Sequence, residues 1–112
     1  MEIQKTQEEL RQLTKEIQHP RIGTVLGLYE EVGELAKAVM NWEIYGEKDR
    51  DNFREECADV FFSLLDVANA YDIDLDTACE SKIAITRTKI DSWVKKYGVR
   101  LGKLRSIYDK HD

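Results

Sequence analysis

Four carboxylates are arranged in two helical pairs, Glu31 with Glu34 in LYEEVGELAKAV and Glu56 with Asp59 in REECADVFFSLLDVAN. Within each pair the spacing is i,i+3, which places the two side chains next to each other on one helix face. Oxygen ligands without His or Cys suit Mg²⁺ or Mn²⁺. The two pairs are therefore candidate ligands for a divalent cation.

The apolar residues around these acids place them at the borders of packing faces. At 3.6 residues per turn Glu31 lies roughly 70° from the centre of its stripe, Glu56 lies roughly 80° from the centre of the second, and Asp59 lies further round in the same sense. The stripes are Val25, Leu28, Val32, Leu35 and Val39, and Phe53, Cys57, Val60, Leu64, Val67 and Tyr71. Packing on the stripes brings all four acids to one edge, where a divalent cation resolves their repulsion.

The ligand chemistry also indicates the substrate class. Mg²⁺ usually keeps several waters and completes its shell with substrate phosphates, so we expect a phosphorylated substrate. The alternative is that each pair is only the solvated face of a charged helix. A single pair would favour that alternative, and the presence of two pairs on packing borders favours the metal.

The composition indicates one domain, residues 1–112, with a modest core. A net charge of −5 argues against a nucleic-acid polymer as partner. No apolar run reaches bilayer-spanning length and the polar start MEIQKTQEELRQL differs from a signal peptide, so we expect a cytoplasmic protein with no membrane partner. Cys57 and Cys79 lack metal-ligand spacing and are expected to be small buried hydrophobes, with a disulfide as the alternative.

Helical periodicity covers most of the chain and no strand alternation occurs, so the sequence predicts an all-α fold. Asp51 and Asp74 are the expected N-caps of the third and fourth helices, and Gly98 is the expected stop of the fourth. The predicted helices cover residues 3–18, the segment after Pro20 as far as about 43, 51–71 and 74–97, and the tail 98–112 is a candidate further helix.

Lys82 lies within the apolar face of the predicted fourth helix. That face contains Leu75, Cys79, Thr86, Ile90, Trp93 and Tyr97. One explanation is snorkelling, in which the methylene stem packs and the ammonium reaches water. The other is a cation that reaches a phosphate near the acidic edge, and both explanations stay open.

The ordered motifs Glu-x-x-Glu and Glu-x-x-Asp, the second followed by an apolar run, resemble those of the MazG-like nucleoside triphosphate pyrophosphohydrolases of the all-α NTP pyrophosphatase superfamily. Here they are Glu31–Leu35 and Glu56–Val60. The resemblance continues through Asn69 and Lys82 to Arg87. It covers roughly residues 20–87, and the order and spacing make it more specific than either motif alone.

The resemblance implies Mg²⁺-dependent cleavage of a nucleoside triphosphate between the α and β phosphates, which yields a monophosphate and pyrophosphate in nucleotide-pool housekeeping. The four carboxylates would hold Mg²⁺, for which Mn²⁺ substitutes, and Glu34 is the candidate general base. The implied substrate contacts are Trp42, Asn69, Lys82 and Arg87.

The family also implies a four-helix-bundle-like MazG-type fold with a catalytic core over about residues 20–97. Its typical assembly is a homodimer or a dimer of dimers, in which an active site draws on more than one subunit. Long amphipathic helices in a short chain agree with a need for further burial.

Two departures from the family pattern and two competing functions stay open. Thr86 stands where an asparagine often precedes the arginine, and Trp42 is spaced one residue differently from the base-stacking tryptophan of dCTP pyrophosphatase relatives, so helix-end packing is its alternative role. A phosphoribosyl-ATP pyrophosphatase is disfavoured because no histidine follows the second motif. A non-enzymatic acidic helical interaction module requires no divalent-ion site.

Overall fold

A computed structural model describes residues 2–109, and these residues form α-helices and no strand, which confirms the all-α prediction. The helices are α1 (Ile3–Leu13), α2 (Arg21–Glu43), α3 (Arg50–Ala70) and α4 (Leu75–Tyr108). The chain divides into two compact units between Asp76 and Thr77. The first unit contains α1, α2, α3 and the first residues of α4, and the second contains the rest of α4. A single domain over residues 1–112 stays a prediction.

A helical hairpin of α2 and α3 is the main packing unit. Asp49 begins α3, because its extended backbone lets its carboxylate accept a hydrogen bond from the backbone N–H of Asn52 at 3.1 Å. The prediction of Asp51 as the cap was therefore wrong by two residues. Asp51 instead lies in the first turn, where a carboxylate interacts favourably with the helix dipole.

The hydrophobic core of the described chain is small. Its buried apolar side chains are Ala38, Leu65 and Ala68. α3 packs against both α1 and α2, and its burial extends beyond the predicted stripe to Leu65 and Ala68, whereas the stripe itself is only partly buried. Leu64 itself is 42% exposed.

The two cysteines differ in burial. Cys57 belonged to the predicted buried stripe but is exposed, so the expectation of a buried thiol there was wrong. Cys79 is half-buried, and both residues are free thiols.

A reciprocal pair of contacts joins the beginnings of α1 and α4. Gln7 is buried, and its side-chain oxygen accepts a hydrogen bond from the backbone N–H of Leu75 at 3.0 Å. Its amide nitrogen donates to the carbonyl of Ile73 at 2.9 Å. In return the backbone N–H of Gln4 donates to the Asp76 carboxylate at 2.8 Å. Each helix thus satisfies a donor of the other at an N-terminus, where backbone N–H groups have no partner within their own helix.

Two helix ends differ from the predictions. α1 ends at Leu13 instead of residue 18, and a turn follows in which the N–H of Ile17 binds the carbonyl of Thr14 at 2.9 Å. α4 continues through Gly98 to Tyr108. A glycine that stops a helix adopts positive φ, and among the described glycines Gly46 does so. The predicted stop at Gly98 was wrong, and of the tail, residues 110–112 lie outside the described chain.

Replacing Gln7 by Ala tests the contact between the helix beginnings. The change leaves the Leu75 N–H and the Ile73 carbonyl without their buried partner, so we expect a loss of about 2–3 kcal/mol in the free energy of unfolding. Urea denaturation followed by circular dichroism measures this loss.

Gln12→Ala is the matched control, because Gln12 is also in α1 but its amide bonds only the exposed Glu8 of the same helix. We expect it to change stability by less than about 0.5 kcal/mol. Equal effects of the two substitutions would contradict the role assigned to Gln7.

Candidate metal centre

The α2–α3 hairpin brings together three of the four predicted carboxylates. Glu31, Glu56 and Asp59 each offer one oxygen, and these oxygens all lie within 4.8 Å of one another. Around Mg²⁺, ligand oxygens lie at about 2.1 Å, so two on opposite sides of the ion are about 4.2 Å apart. The limit of 4.8 Å is close to this span, so the three oxygens are near enough to converge on one divalent cation.

Glu56 is the most constrained of the three. Its side chain is half-buried, and its Oε2 atom is buried with no hydrogen-bond partner among the described residues. Burial and the neighbouring charges of Asp59, Glu34 and Glu31 raise the pKa of Glu56. A buried carboxylate oxygen without a donor, surrounded by other anions, is unfavourable unless a cation compensates it. The donor set therefore fits a hard divalent ion.

Glu34 lies apart from the three-oxygen cluster. Its side chain is exposed, one turn along α2 from Glu31. Its charge is nevertheless among those that raise the pKa of Glu56, which places it within electrostatic reach of the cluster. Its roles as ligand and general base stay predictions.

Trp42 lies at the end of α2, in contact with residues of the hairpin. Its ring meets Phe53 edge-on, with the ring centroids 5.8 Å apart, and the Lys48 ammonium lies 5.5 Å from its centroid. At 1.5 Å per residue it is about 16 Å along the helix from Glu31. These contacts agree with the helix-end packing role, and stacking on a base stays a prediction.

Asn69 is held by α1, a contact that the sequence did not predict. Its Oδ1 accepts hydrogen bonds from the Gln7 amide at 3.2 Å and from the Arg11 guanidinium at 3.1 Å. Its amide nitrogen donates to the backbone carbonyl of Gln7 at 3.1 Å. These bonds fix which way the amide faces and use one of its two N–H groups. No local pattern links residues so far apart in sequence.

Lys82 and Arg87 belong to the second unit, and both side chains are exposed on α4. The carbonyl of Lys82 accepts a hydrogen bond from the Thr86 hydroxyl at 2.8 Å. The residue that replaces the usual asparagine is thus bonded within its own helix. The substrate contacts of Lys82 and Arg87 stay predictions.

An open groove of about 1050 Å³ is a separate feature of the first unit. It is lined by α1 and by Asp72–Asp74, and none of the predicted site residues lines it. Gln7 and Arg11, which hold Asn69, form part of its wall. The groove is therefore a different site from the acidic cluster of Glu31, Glu56 and Asp59.

The helices and the convergent carboxylates define an all-α protein with an oxygen-only candidate metal centre. The family model of the MazG nucleotide pyrophosphohydrolase domain matches residues 20–90, which is more than half of the chain, so the chain belongs to that family. The match includes all eight predicted site residues and confirms the resemblance. No curated protein and no solved structure matches the chain.

Replacing Glu56 by Gln tests the strain in the metal-free cluster. A raised pKa means that the folded state binds the proton more tightly than the unfolded state, so ionised Glu56 lowers stability at neutral pH. This penalty disappears as the pH falls from neutral through the raised pKa. We therefore expect Glu56→Gln to raise the melting temperature at neutral pH in chelator, and the gain to shrink on acidification.

The same variant should respond less to Mg²⁺, because a ligand that binds the folded state stabilises it. Thermal unfolding with chelator and with Mg²⁺ measures both effects. Glu30→Gln is the control, since Glu30 is exposed on α2 and is not among the charges that act on Glu56. A Glu56→Gln variant that behaves like this control would contradict the assignment.

Proposed function

We propose that this chain is a Mg²⁺-dependent pyrophosphohydrolase that cleaves nucleoside triphosphates between the α and β phosphates. The observation that supports this most strongly is the convergence of Glu31, Glu56 and Asp59 around a buried, unpaired carboxylate oxygen in a chain of the MazG family. With Glu34 they would hold the cation, and Mn²⁺ would substitute. When bound, Mg²⁺ supplies neutralisation of phosphate charge and a polarised water.

Glu34 is the proposed general base. It is exposed and is not one of the three convergent ligands, so its carboxylate is available to take a proton. The water oxygen forms a bond to phosphorus as its proton passes to Glu34. The bond between the bridging oxygen and the attacked phosphorus breaks, and the products are a nucleoside monophosphate and pyrophosphate.

The substrate contacts are also proposals. The remaining N–H of Asn69 would donate to the nucleotide, because the other polar positions of this amide are bonded to α1. The cations of Lys82 and Arg87 would bind phosphate oxygens. Trp42 would stack on the base, which requires the Lys48 side chain to leave the face of the ring.

We infer a homodimer or a dimer of dimers from the apolar surface of α2 and α3. Few apolar side chains are buried within the described chain, so much of the apolar surface of its helices is exposed. Large exposed apolar surfaces of this kind are typical of protein–protein interfaces. The large apolar side chains exposed on these helices include Leu26, Tyr29, Val32, Val39, Met40, Phe61, Phe62 and Leu64. A second subunit would cover them and complete the proposed substrate site.

Two alternatives have weaker support. Phosphoribosyl-ATP is disfavoured as the substrate because Val60–Ser63 contain no histidine. A non-enzymatic helical module gives no reason for three carboxylate oxygens to converge where one is buried.

The activity test uses purified protein, Mg²⁺ and a panel of ribo- and deoxyribonucleoside triphosphates, with phosphorus NMR to identify the products. We expect pyrophosphate and monophosphate, and we expect Glu31→Gln or Asp59→Asn to reduce turnover by at least a hundredfold, since each removes a ligand charge from the cation site. Circular dichroism should show unchanged helicity.

Glu30→Gln is again the control and should retain activity. Orthophosphate with diphosphate would refute the proposed cleavage position. Full turnover by the Glu31→Gln variant would refute the proposed ligand set.

The assembly is tested by sedimentation velocity across a range of protein concentrations, together with activity at each concentration. We expect a dimer or tetramer. Specific activity should fall at concentrations at which the oligomer dissociates, because the proposed substrate site needs the second subunit. A monomer that keeps full activity at nanomolar concentration would contradict this.

A further inference from the structure

The C-terminal segment of the chain has the opposite charge to the segment before it. Residues 1–76 contain eight Lys and Arg against eighteen Asp and Glu, a net charge of −10, whereas residues 77–109 contain eight against three, a net charge of +5. Within residues 92–108 there are five Lys and Arg and no carboxylate side chain. This segment, the basic helix, lies entirely within α4 and outside the family match at residues 20–90.

The basic helix has one continuous apolar stripe. At 100° per residue six side chains fall within an arc of about 100°. They are between 37% and 76% exposed, and they are Trp93, Val94, Tyr97, Leu101, Leu104 and Tyr108. The rings of Trp93 and Tyr97 lie against each other with centroids 5.3 Å apart. Three aromatic side chains therefore lie in an exposed stripe that no described residue buries.

The cations are distributed around this stripe, and the Lys96 ammonium reaches back to it, 5.3 Å from the centroid of the Tyr97 ring. Arg100 and Arg105 lie roughly 70° to either side of its centre, and Lys95, Lys96 and Lys103 lie roughly 110–150° away. All five side chains are exposed. The helix has an apolar aromatic face, two bordering arginines and an opposite face that contains the lysines together with the exposed Val99, while Ile107 lies between the two faces.

The geometry points to a peripheral membrane anchor: the basic helix lies on an anionic lipid surface, with its apolar stripe inserted among the acyl chains and its cations at the headgroups. A basic helix with aromatic and aliphatic residues on one face binds bilayers in this way. The segment is about 25 Å long, which suits lying in the interface. No helix in the described part of the chain is long and apolar enough to cross a membrane. The expectation of no membrane partner was based on the absence of a spanning segment, and adsorption to a bilayer surface does not require one.

The lysines on the far face distinguish a lipid surface from other occupants. A protein groove, including the acidic part of a second copy, would contact the stripe, the two bordering arginines and the Lys96 ammonium over Tyr97, and would gain little from Lys95 and Lys103. A negatively charged plane attracts all five cations, because its potential extends over a Debye length, about 10 Å at 0.1 M salt. A polynucleotide would attract the cations but offers no apolar interior for the stripe.

The acidic remainder of the chain opposes approach to the same surface, so the anchor has to be reversible and sensitive to salt. Adsorption would hold the chain near a bilayer without a lipid modification. It is independent of the proposed catalytic chemistry, since none of the eight predicted site residues belongs to the basic helix.

The test is co-sedimentation of the full chain with vesicles of phosphatidylcholine alone and of phosphatidylcholine with phosphatidylglycerol. We expect binding to the anionic vesicles, reversal by high NaCl, and little binding to the neutral ones. In a Trp42→Phe background Trp93 is the single tryptophan, and its fluorescence should shift to the blue on the anionic vesicles.

Neutralising the three far-face lysines, in the variant K95Q/K96Q/K103Q, should weaken binding to the anionic vesicles by roughly a hundredfold. The matched control makes the same change in net charge on exposed lysines of the first unit, in the variant K5Q/K15Q/K37Q. This control should bind the anionic vesicles almost as well as the unsubstituted chain. Both variants should keep the pyrophosphohydrolase activity, so failure of the anchor is separate from failure of the proposed function.

Three results would overturn the anchor. Equal binding by K95Q/K96Q/K103Q and the unsubstituted chain would show that the far-face charge is irrelevant. A Trp93 blue shift that depends on protein concentration, without binding to vesicles, would show that a second copy covers the stripe. Binding to a single-stranded oligonucleotide, without binding to vesicles, would assign the helix to a polynucleotide.

Discussion

The packing of α2 against α3 imposes the constraint on which the candidate site depends. Burying the apolar sides of two helices fixes their rotation, and the residues that border those sides have no freedom to separate. Glu31 comes from one helix and Glu56 with Asp59 from the other, so packing holds like charges together. The apolar contacts stabilise an arrangement that is electrostatically unfavourable without a cation. A divalent ion would turn this local repulsion into a coordination site.

The strain is concentrated at one residue. Glu56 combines a buried, unpaired oxygen with a pKa raised by burial and by the acids around it. Asp59 and Glu34 are exposed, so water solvates their charges more fully. Stability thus disfavours an ionised side chain at Glu56, whereas the proposed cation site requires one. Glu34 is exposed beside the cluster, and its roles as ligand and general base stay predictions.

Outside the hairpin, polar contacts compensate for a small core. Gln7 connects α1 with Asn69 and with the beginning of α4, and Asp76 accepts a hydrogen bond from the N-terminus of α1. α1 precedes the family match, yet it fixes the amide of Asn69, a residue within that match. The apolar surface left exposed on α2 and α3 belongs to the acidic first unit. The basic helix belongs to the positively charged second unit. The proposals assign the apolar surface to a second subunit and the basic helix to an anionic bilayer.

The sequence by itself determined the helical class and the acidic motifs, because both depend on local spacing. An i,i+3 pair lies on one helix face whatever the helix packs against, so Glu31, Glu56 and Asp59 could be placed at a shared edge in advance. The family match over residues 20–90 spans the same residues.

Only the tertiary structure decided which groups are buried and which polar atoms meet. α3 packs against both α1 and α2, with Leu65 buried and Cys57 exposed, and periodicity in one helix contains no information about a second neighbour. Gln7 and Asn69 meet because the chain returns on itself, at a sequence separation that no motif spans. Gly98 continues a helix because its backbone keeps negative φ. Glycine adopts negative and positive φ about equally readily, so the sequence alone does not predict which occurs. Long-range packing and backbone freedom are the two physical reasons why the sequence alone was insufficient at these positions.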